Sequence, residues 1–91
     1  MSSSYNIKMD KDKFLKELGL NLKIERIRKN LTQEQLAELA DCTAPYVGYI
    51  ERGIKCPTIY QYVKIAGILN IDTGNFLKKL TDISSENVIN E

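Results

Sequence analysis

Residues that start or end helices lie so close together in the segment Thr32–Gly53 that it has room for two short helices and little else. Thr32 and Gln35 have the spacing of a capping box, in which each side chain satisfies a backbone N–H at the start of a helix. Thr43 is the next candidate N-cap, and Pro45 follows in the first turn, where its missing N–H has no helical partner to lose. Gly53 closes the second helix as a C-terminal cap. The sequence therefore predicts two short helices joined by very few residues.

The same helical period continues on both sides of this segment. Apolar residues recur at helical spacing between a candidate N-cap at Asp12 and about Lys29, and candidate N-caps at Thr58 and Asp72 begin two further periodic segments. The two short helices between them cover about residues 33–40 and 44–52. The faces expected to be buried carry Phe14, Leu15, Leu18, Leu22 and Ile27 on the first helix and Ile59, Tyr62, Val63, Ala66 and Leu69 on the fourth. The apolar residues of the fifth helix are Phe76, Leu77 and Leu80.

No stretch alternates with period two for long enough to predict a strand, so the expected fold class is all-α, a compact domain of five helices. We expect this domain over residues 11–80, after an arm at 1–10 and before a polar acidic tail at 81–91. The net charge is +1, but residues 11–80 hold twelve Lys and Arg against eight Asp and Glu, while the tail has three acids and no base. The folded part is mildly basic, which is compatible with DNA binding but does not indicate it.

The composition argues against several classes of protein. The chain has no His and only two Cys, Cys42 and Cys56, which cannot complete a zinc site. A disulfide between them is a minor alternative, because a cytosolic chain keeps its thiols reduced. The serines lie in the polar ends without a partner base, so we expect no enzyme and no cofactor. No apolar run approaches the ~18 residues of a membrane span, and the start lacks the apolar core of a signal peptide, so we expect a cytoplasmic protein.

The second and third predicted helices have the spacing of a helix-turn-helix. Only Asp41 and Cys42 separate the second helix from the next N-cap, which makes the two helices cross steeply. Packing in such a motif needs a small residue on the first of its helices, here Ala37. It also needs apolar residues where the other helix meets the core, here Val47 and Ile50.

These residues resemble the Cro and phage-repressor family of helix-turn-helix proteins, also called the xenobiotic response element family. The resemblance covers about Leu18 to Leu80. Its motifs are Leu18-Gly19 with Leu22 and Arg26 on the first helix, Leu31-Thr32-Gln33-Glu34-Gln35-Leu36-Ala37 on the second, Tyr46-Val47 and Ile50-Glu51-Arg52-Gly53 on the third, Pro57, and Ala66 with Leu69 on the fourth. The combination is specific because the residues fall at family spacing in five consecutive elements.

The resemblance implies a lambda-repressor-like DNA-binding domain that lays its third helix in the major groove, usually as a dimer on a near-palindromic operator. By family position, Gln33 binds a phosphate and buttresses the third helix. The residues expected to face the bases are Thr43, Ala44, Pro45, Gly48 and Tyr49, with Tyr46 completing the set on that helix. Phosphate contacts are expected from Arg52, Lys55 and the helix start at Thr58. Arg26 and Glu51 match a partly buried structural ion pair of the family.

The sequence departs from the family pattern in its turn and on its reading face. Asp41 stands where the turn usually has Gly, which is tolerable because Asp visits the left-handed region more readily than most residues. Cys42 takes the place of the apolar plug. The exposed face of the third helix has no Arg, Asn, Gln or Lys to pair with a base, which points to low specificity or readout by DNA shape. Thr43 and Tyr49 combine reach with a hydroxyl and are the expected direct readers.

We therefore expect a sequence-specific, double-stranded DNA-binding transcriptional regulator of repressor type or a dual-acting switch. Phage repressors, restriction-modification controllers and antitoxin-like regulators all remain open. The alternative is a protein-interaction module that keeps the fold without reading DNA. A homodimer is expected because the C-terminal end carries more apolar surface than one small core needs, although the same side chains would cap the core of a monomer. The dimerisation residues proposed are Phe76, Leu77, Leu80 and Ile83.

Overall fold

The computed structural model describes residues 10–84, with side chains up to residue 80. Within that range it has five helices and no strand, which confirms the predicted fold class. The helices are α1 (Lys11–Arg28), α2 (Gln33–Leu39), α3 (Ala44–Glu51), α4 (Ile59–Leu69) and α5 (Thr73–Ser84). The last helix runs four residues past the domain end expected at residue 80. Most of the predicted arm and the end of the predicted tail lie outside the described residues. None of the helices described is long and apolar enough to cross a membrane.

Threonine caps begin the three central helices where the sequence predicts them. The Thr32 hydroxyl accepts a hydrogen bond from the N–H of Gln35 at 3.0 Å, and the Gln35 side-chain oxygen accepts from the N–H of Thr32 at 2.9 Å, which completes the capping box. Thr43 and Thr58 cap α3 and α4 by accepting from the N–H three residues later, at 3.2 and 3.1 Å. These bonds satisfy amides that the helices leave without a partner, so short segments become helical at defined positions.

The first helix starts earlier than the sequence suggested. Asp10, not Asp12, is its N-cap, and the Asp10 carboxylate accepts from the N–H of Lys13 at 3.2 Å. Asp12 lies inside the first turn, where a negative charge is favoured by the positive end of the helix dipole. Both aspartates suit a helix start, and only the backbone path distinguishes the cap from the first turn.

The turns between helices use residues in the left-handed backbone region. Asn30, Asp41 and Asn70 have φ angles of 59°, 58° and 58°, and Gly53 has a φ of 75°. Asn and Asp tolerate this region better than other residues with side chains, and glycine enters it freely. The expectation that Asp41 replaces the usual turn glycine is confirmed.

The buried core draws on all five helices, but its faces differ in part from those predicted. Ile27, Ile59 and Val63 are 53%, 72% and 54% exposed, so their assignment to the core was wrong. On α4 the buried stripe has helical spacing from Tyr62 to Leu69, and Val63 points away from it while Ile59 lies a turn before it. On α1 the stripe continues to Arg26, which turns the neighbouring Ile27 outward. The principal core cluster consists of Leu18, Leu22, Leu36, Ala37, Ala40, Val47, Ile50, Tyr62, Ile65, Ala66, Leu69 and Leu80.

The assignment of Leu80 to the dimerisation surface was wrong. Its side chain is 1% exposed and belongs to the core of its own chain, so it presents no surface to a second chain. Phe76 is partly buried and stacks on Tyr62, with ring centroids 6.0 Å apart. Leu77 is 38% exposed. The side chain of Ile83 lies outside the described residues.

Gly19 allows α1 to pass directly over the end of α3. A Cβ at this position would collide with the backbone oxygen of Ile50 and would lie 2.7 Å from the backbone oxygen of Glu51. Backbone atoms cannot move aside as a flexible side chain can. The close crossing therefore needs glycine, and it brings the middle of α1 against the C-terminal turn of α3.

We expect Gly19→Ala to lower the free energy of unfolding by about 1–3 kcal/mol, the usual cost of forcing an extra methyl into a packed site. Gly67→Ala is the matched control, because no atom lies within 4 Å of its added Cβ. That change should raise stability by up to about 1 kcal/mol through helix propensity. Urea denaturation of both variants makes the comparison, and equal stability of Gly19→Ala and the parent would contradict the close crossing.

Candidate nucleic-acid interface

The turn between α2 and α3 gives the two helices the crossing of a helix-turn-helix. The N–H of Cys42 donates to the backbone oxygen of Ala37 at 2.9 Å, and Asp41 reverses the chain with its positive φ. Ala37 and Val47 are 3% and 2% exposed, one on each helix of the motif. The outer side of α3 is left open between the start of α2 and the loop that leads to α4.

A bidentate ion pair ties α3 to α1. The Nε and Nη2 atoms of Arg26 donate to the two carboxylate oxygens of Glu51 at 2.7 and 3.1 Å. The two side chains are 10% and 3% exposed. The remaining Nη1 of Arg26 donates to the backbone oxygen of Leu31 at 2.7 Å, in the turn before α2. Arginine is suited to this position because its planar fork matches a carboxylate and still has a donor to spare.

Gln33 connects α2 to this network. Its side-chain amide nitrogen donates to the Glu51 carboxylate at 3.0 Å, so the first residue of α2 holds the last residue of α3. Its side-chain oxygen faces Gly48 and would lie 3.5 Å from a Cβ placed there. Gln33 thus buttresses α3 in the structure, and its expected bond to a DNA phosphate stays a prediction.

The open side of α3 forms a shallow cleft with the start of α2, with a volume of about 390 Å³. Its lining residues are Gln33, Glu34, Ala44, Pro45, Gly48, Tyr49 and Arg52. Small residues at 44, 45 and 48 make the surface concave. Glu34 was not among the expected site residues, because the sequence marks it only as an acid in the first turn of a helix. Its carboxylate repels phosphates at the edge of the cleft.

Arg52 and Lys55 both lie close to the ring of Tyr49, one of the residues that line this cleft. The guanidinium carbon of Arg52 lies 5.3 Å from the centroid of the Tyr49 ring, and the Lys55 ammonium lies 5.7 Å from the same centroid. Both distances are within the range of cation–π attraction. Arg52 and Lys55 are exposed, so both charges remain available to a ligand.

The other expected site residues lie around this cleft or behind it. Thr43 is exposed at the start of α3, where its hydroxyl accepts the capping bond. Tyr46 is only partly exposed and packs against the core, which leaves it less surface for DNA than a residue on the open face. Thr58 is exposed at the start of α4 and does not line the cleft.

Both cysteines are free thiols. Cys42 is partly buried in the turn and packs against the core, which agrees with its expected role as an apolar plug. Burial raises the pKa of the Cys42 thiol, the nearby charge of Asp41 raises it further, and Lys64 opposes both. The thiol is therefore less reactive than an ordinary one, because the thiolate is the nucleophile.

Comparison with known proteins places this geometry in a family. A family model described as helix-turn-helix matches residues 22–76, more than half of the chain. The chain belongs to the Cro/C1-type helix-turn-helix family, as the sequence resemblance suggested. No curated protein sequence matches the chain closely enough to count as a relative.

Several solved structures have the same fold. The restriction-modification controller protein C.AhdI from Aeromonas hydrophila is 36% identical, with a TM-score of 0.61 over 64% of this chain and 88% of its own. The wild-type restriction-modification controller protein C.Esp1396I is 28% identical, with a TM-score of 0.64 over 74% of this chain and 87% of its own. The clp gene regulator ClgR from Corynebacterium glutamicum is 24% identical, with a TM-score of 0.68 over 79% of this chain and 91% of its own, and shows the fold alone. The family and the likeness to the two controller proteins identify the chain as a DNA-binding transcriptional regulator.

Arg26→Ala should destabilise the fold, because it leaves the carboxylate of Glu51 buried with only Gln33 to bond it. We expect the free energy of unfolding to fall by about 3 kcal/mol or more. Arg28→Ala is the control, since Arg28 pairs with Glu25 at the surface and such pairs contribute about 1 kcal/mol or less. Thermal melts of the two variants compare them. A melt of Arg26→Ala that matches the parent would mean that the pair does not brace α3.

Proposed function

We propose that the chain binds double-stranded DNA as a homodimer, with α3 of each copy in the major groove, and controls transcription in the cytoplasm without catalysing a reaction. The observation that carries this proposal is the attachment of Glu51, at the end of α3, to Arg26 of α1 and Gln33 of α2. A helix held at its end by two others presents its open face in one fixed orientation. Such a fixed face is what recognition in a groove requires.

The bases are read mainly by shape and by apolar contact. Ala44 and Pro45 suit the methyl group of thymine. Gly48 was expected to face the bases, but it is buried beneath the side chains of Gln33 and Arg52, so it contributes to the shape of the cleft and not to a direct contact. Thr43 has a hydroxyl for a base edge or a phosphate. Among the described residues that line the cleft, Arg52 alone is an Arg, Asn or Lys, and we assign it to a phosphate, so discrimination also depends on how easily each DNA sequence deforms.

Phosphates on either side of the groove are bound by Arg52, Lys55 and the start of α4 at Thr58. Arg52 is an exposed cation that lines the cleft, and Lys55 is an exposed cation close to the ring of Tyr49, another lining residue. The free backbone N–H groups at the start of a helix favour an anion. These contacts set the register of the protein on DNA, while the cleft supplies what sequence preference there is.

Among the regulator classes that the sequence leaves open, we favour control of a restriction-modification system. The support is the likeness to two controller proteins of such systems, at 36% and 28% identity. The genes next to this one test the choice directly. A neighbouring endonuclease and methyltransferase pair supports it, and phage lysogeny genes or a toxin gene in that place would contradict it.

The dimer contact we propose lies over an apolar groove between α1, α4 and α5. Ile59 and Leu77 line this groove with Phe14, Pro57 and Tyr62. Ile59 is 72% exposed, more than any other large apolar residue in the described part of the chain. It takes the place of Leu80 in the expected set, because Leu80 is used in the core.

The DNA-binding proposal predicts binding to random duplex DNA at low salt, with affinity that falls as salt rises. Lys55→Ala should leave the thermal melt unchanged and reduce the slope of log affinity against log salt by about 1, the contribution of one phosphate contact. Lys78→Ala, an exposed lysine on α5, is the control and should leave the slope unchanged. A filter-binding titration at several salt concentrations measures both. A parent protein that binds no duplex at any salt would favour the protein-interaction alternative.

The dimer proposal predicts that Ile59→Glu gives a monomer in sedimentation at micromolar concentration, because it places a charge in an apolar contact. A glutamate in the first turn of α4 is compatible with the helix dipole, so the fold should persist. Ile27→Glu changes an exposed isoleucine on α1 that does not line the groove, and it should leave the dimer intact. A parent that is monomeric both with and without DNA would contradict the proposal.

A further inference from the structure

Tyr49 is held at the edge of the recognition cleft by both its ring and its backbone. Its ring has Arg52 and Lys55 as cationic neighbours at 5.3 and 5.7 Å. Its backbone oxygen accepts from the N–H of Ile54 at 2.9 Å and from the N–H of Lys55 at 3.3 Å. Gly53, with its φ of 75°, turns the chain back so that these bonds form. One residue of α3 therefore fixes both the path of the following loop and the heads of two long side chains.

Long cationic side chains on a surface normally lose much rotamer freedom when they bind a phosphate. A ring that already attracts both heads reduces this loss, because the side chains are confined before DNA arrives. The attraction leaves the charges in place. A guanidinium stacked on a ring also keeps its N–H donors at its edge, where a phosphate oxygen can accept them.

We propose that Tyr49 is a positioning residue, which holds Arg52 and Lys55 as a preformed pair for DNA phosphates and does not itself read bases. This replaces the direct readout expected of Tyr49 from the sequence, and it rests on the proposed binding of DNA by the cleft. Tyr49 is 38% exposed as a residue, against 68% for Tyr60, so more of its surface is covered. Its hydroxyl is dispensable for this role, whereas the ring is essential.

The test compares Tyr49→Leu, which removes the ring, with Tyr49→Phe, which removes only the hydroxyl. Tyr49→Leu should weaken binding to duplex DNA about three- to ten-fold, because the two cationic side chains then lose part of their rotamer freedom only when DNA binds. The loss should be similar for all DNA sequences, and the salt slope should stay the same because both cations remain. Tyr49→Phe should restore the affinity. Ile27→Ala changes an exposed residue of α1 that does not line the cleft, and it serves as the control with unchanged binding.

A double-mutant cycle separates positioning from direct contact. In a chain that carries Arg52→Gln and Lys55→Gln, the further change Tyr49→Leu should have no effect on affinity, because the ring no longer has cations to hold. An equal loss in that background, or a changed base preference of Tyr49→Phe in selection from a random pool, would overturn the proposal. Thermal melts of all variants show that they remain folded.

A measurement without DNA completes the test. In the free protein, NMR should show ring-current shifts on the side-chain protons of Arg52 and Lys55 that disappear in Tyr49→Leu and persist in Tyr49→Phe. Their absence from the parent would overturn the positioning role. If the shifts are present but the parent binds no duplex, the proposed function fails and the phosphate role of the pair fails with it. If the parent binds and Tyr49→Leu binds equally well, the positioning proposal alone is overturned.

Discussion

The carboxylate of Glu51 joins three helices, and the orientation of the recognition helix depends on it. Arg26 of α1 and Gln33 of α2 both donate to this group at the C-terminal end of α3. A carboxylate removed from water is costly unless strong donors replace its hydration, and here three hydrogen bonds do so. The arrangement also needs Gly19, because the close crossing of α1 and α3 leaves no room for a side chain. The ion pair and the glycine therefore both belong to the contact between α1 and the end of α3.

The hydrogen bonds of Glu51 and the close crossing at Gly19 hold α3 in place, which matters for a DNA-binding chain with little net charge. The net charge of +1 gives only weak long-range attraction, so affinity depends on where the cations stand. Arg52 follows the braced end of α3 directly, and Lys55 is three residues further along the loop. The rigid part of the fold thus fixes the start of the segment that we propose binds phosphates, and both of its cationic side chains lie close to the Tyr49 ring. Glu34 on the opposite edge of the cleft restricts where the DNA backbone can lie.

The features that the sequence predicted are those set by local chemistry. The caps at Thr32, Thr43 and Thr58 depend on residues three positions apart, and the positive φ of Asp41 depends on one side chain and a short turn. The pair between Arg26 and Glu51 spans 25 residues and came only from the family resemblance. Its burial and the bond from Gln33 required the structure.

The features that the sequence missed depend on how helices pack. Neighbouring positions on a helix differ by about 100°, so a period fixes a stripe only to within one residue. That is why Ile27 was assigned to the core while its neighbour Arg26 occupies it. On α4 the buried stripe extends to the side of Ile65 and not to the side of Val63. Leu80 was available both to the core and to a second chain, and only its 1% exposure decided between them. Arg52 and Lys55 lie near the same ring because the chain turns at Gly53. The spacing of residues in the sequence does not predict this contact.

The most direct measurement of DNA recognition by the braced helix is an NMR titration of the labelled protein with a random DNA duplex at low salt, followed on the backbone amides. Contact through the cleft predicts shifts concentrated at the start of α2, along the open face of α3 and in the loop up to Thr58, with little change on α5. Shifts confined to the groove lined by Ile59 and Leu77, or no shifts at all, would contradict it.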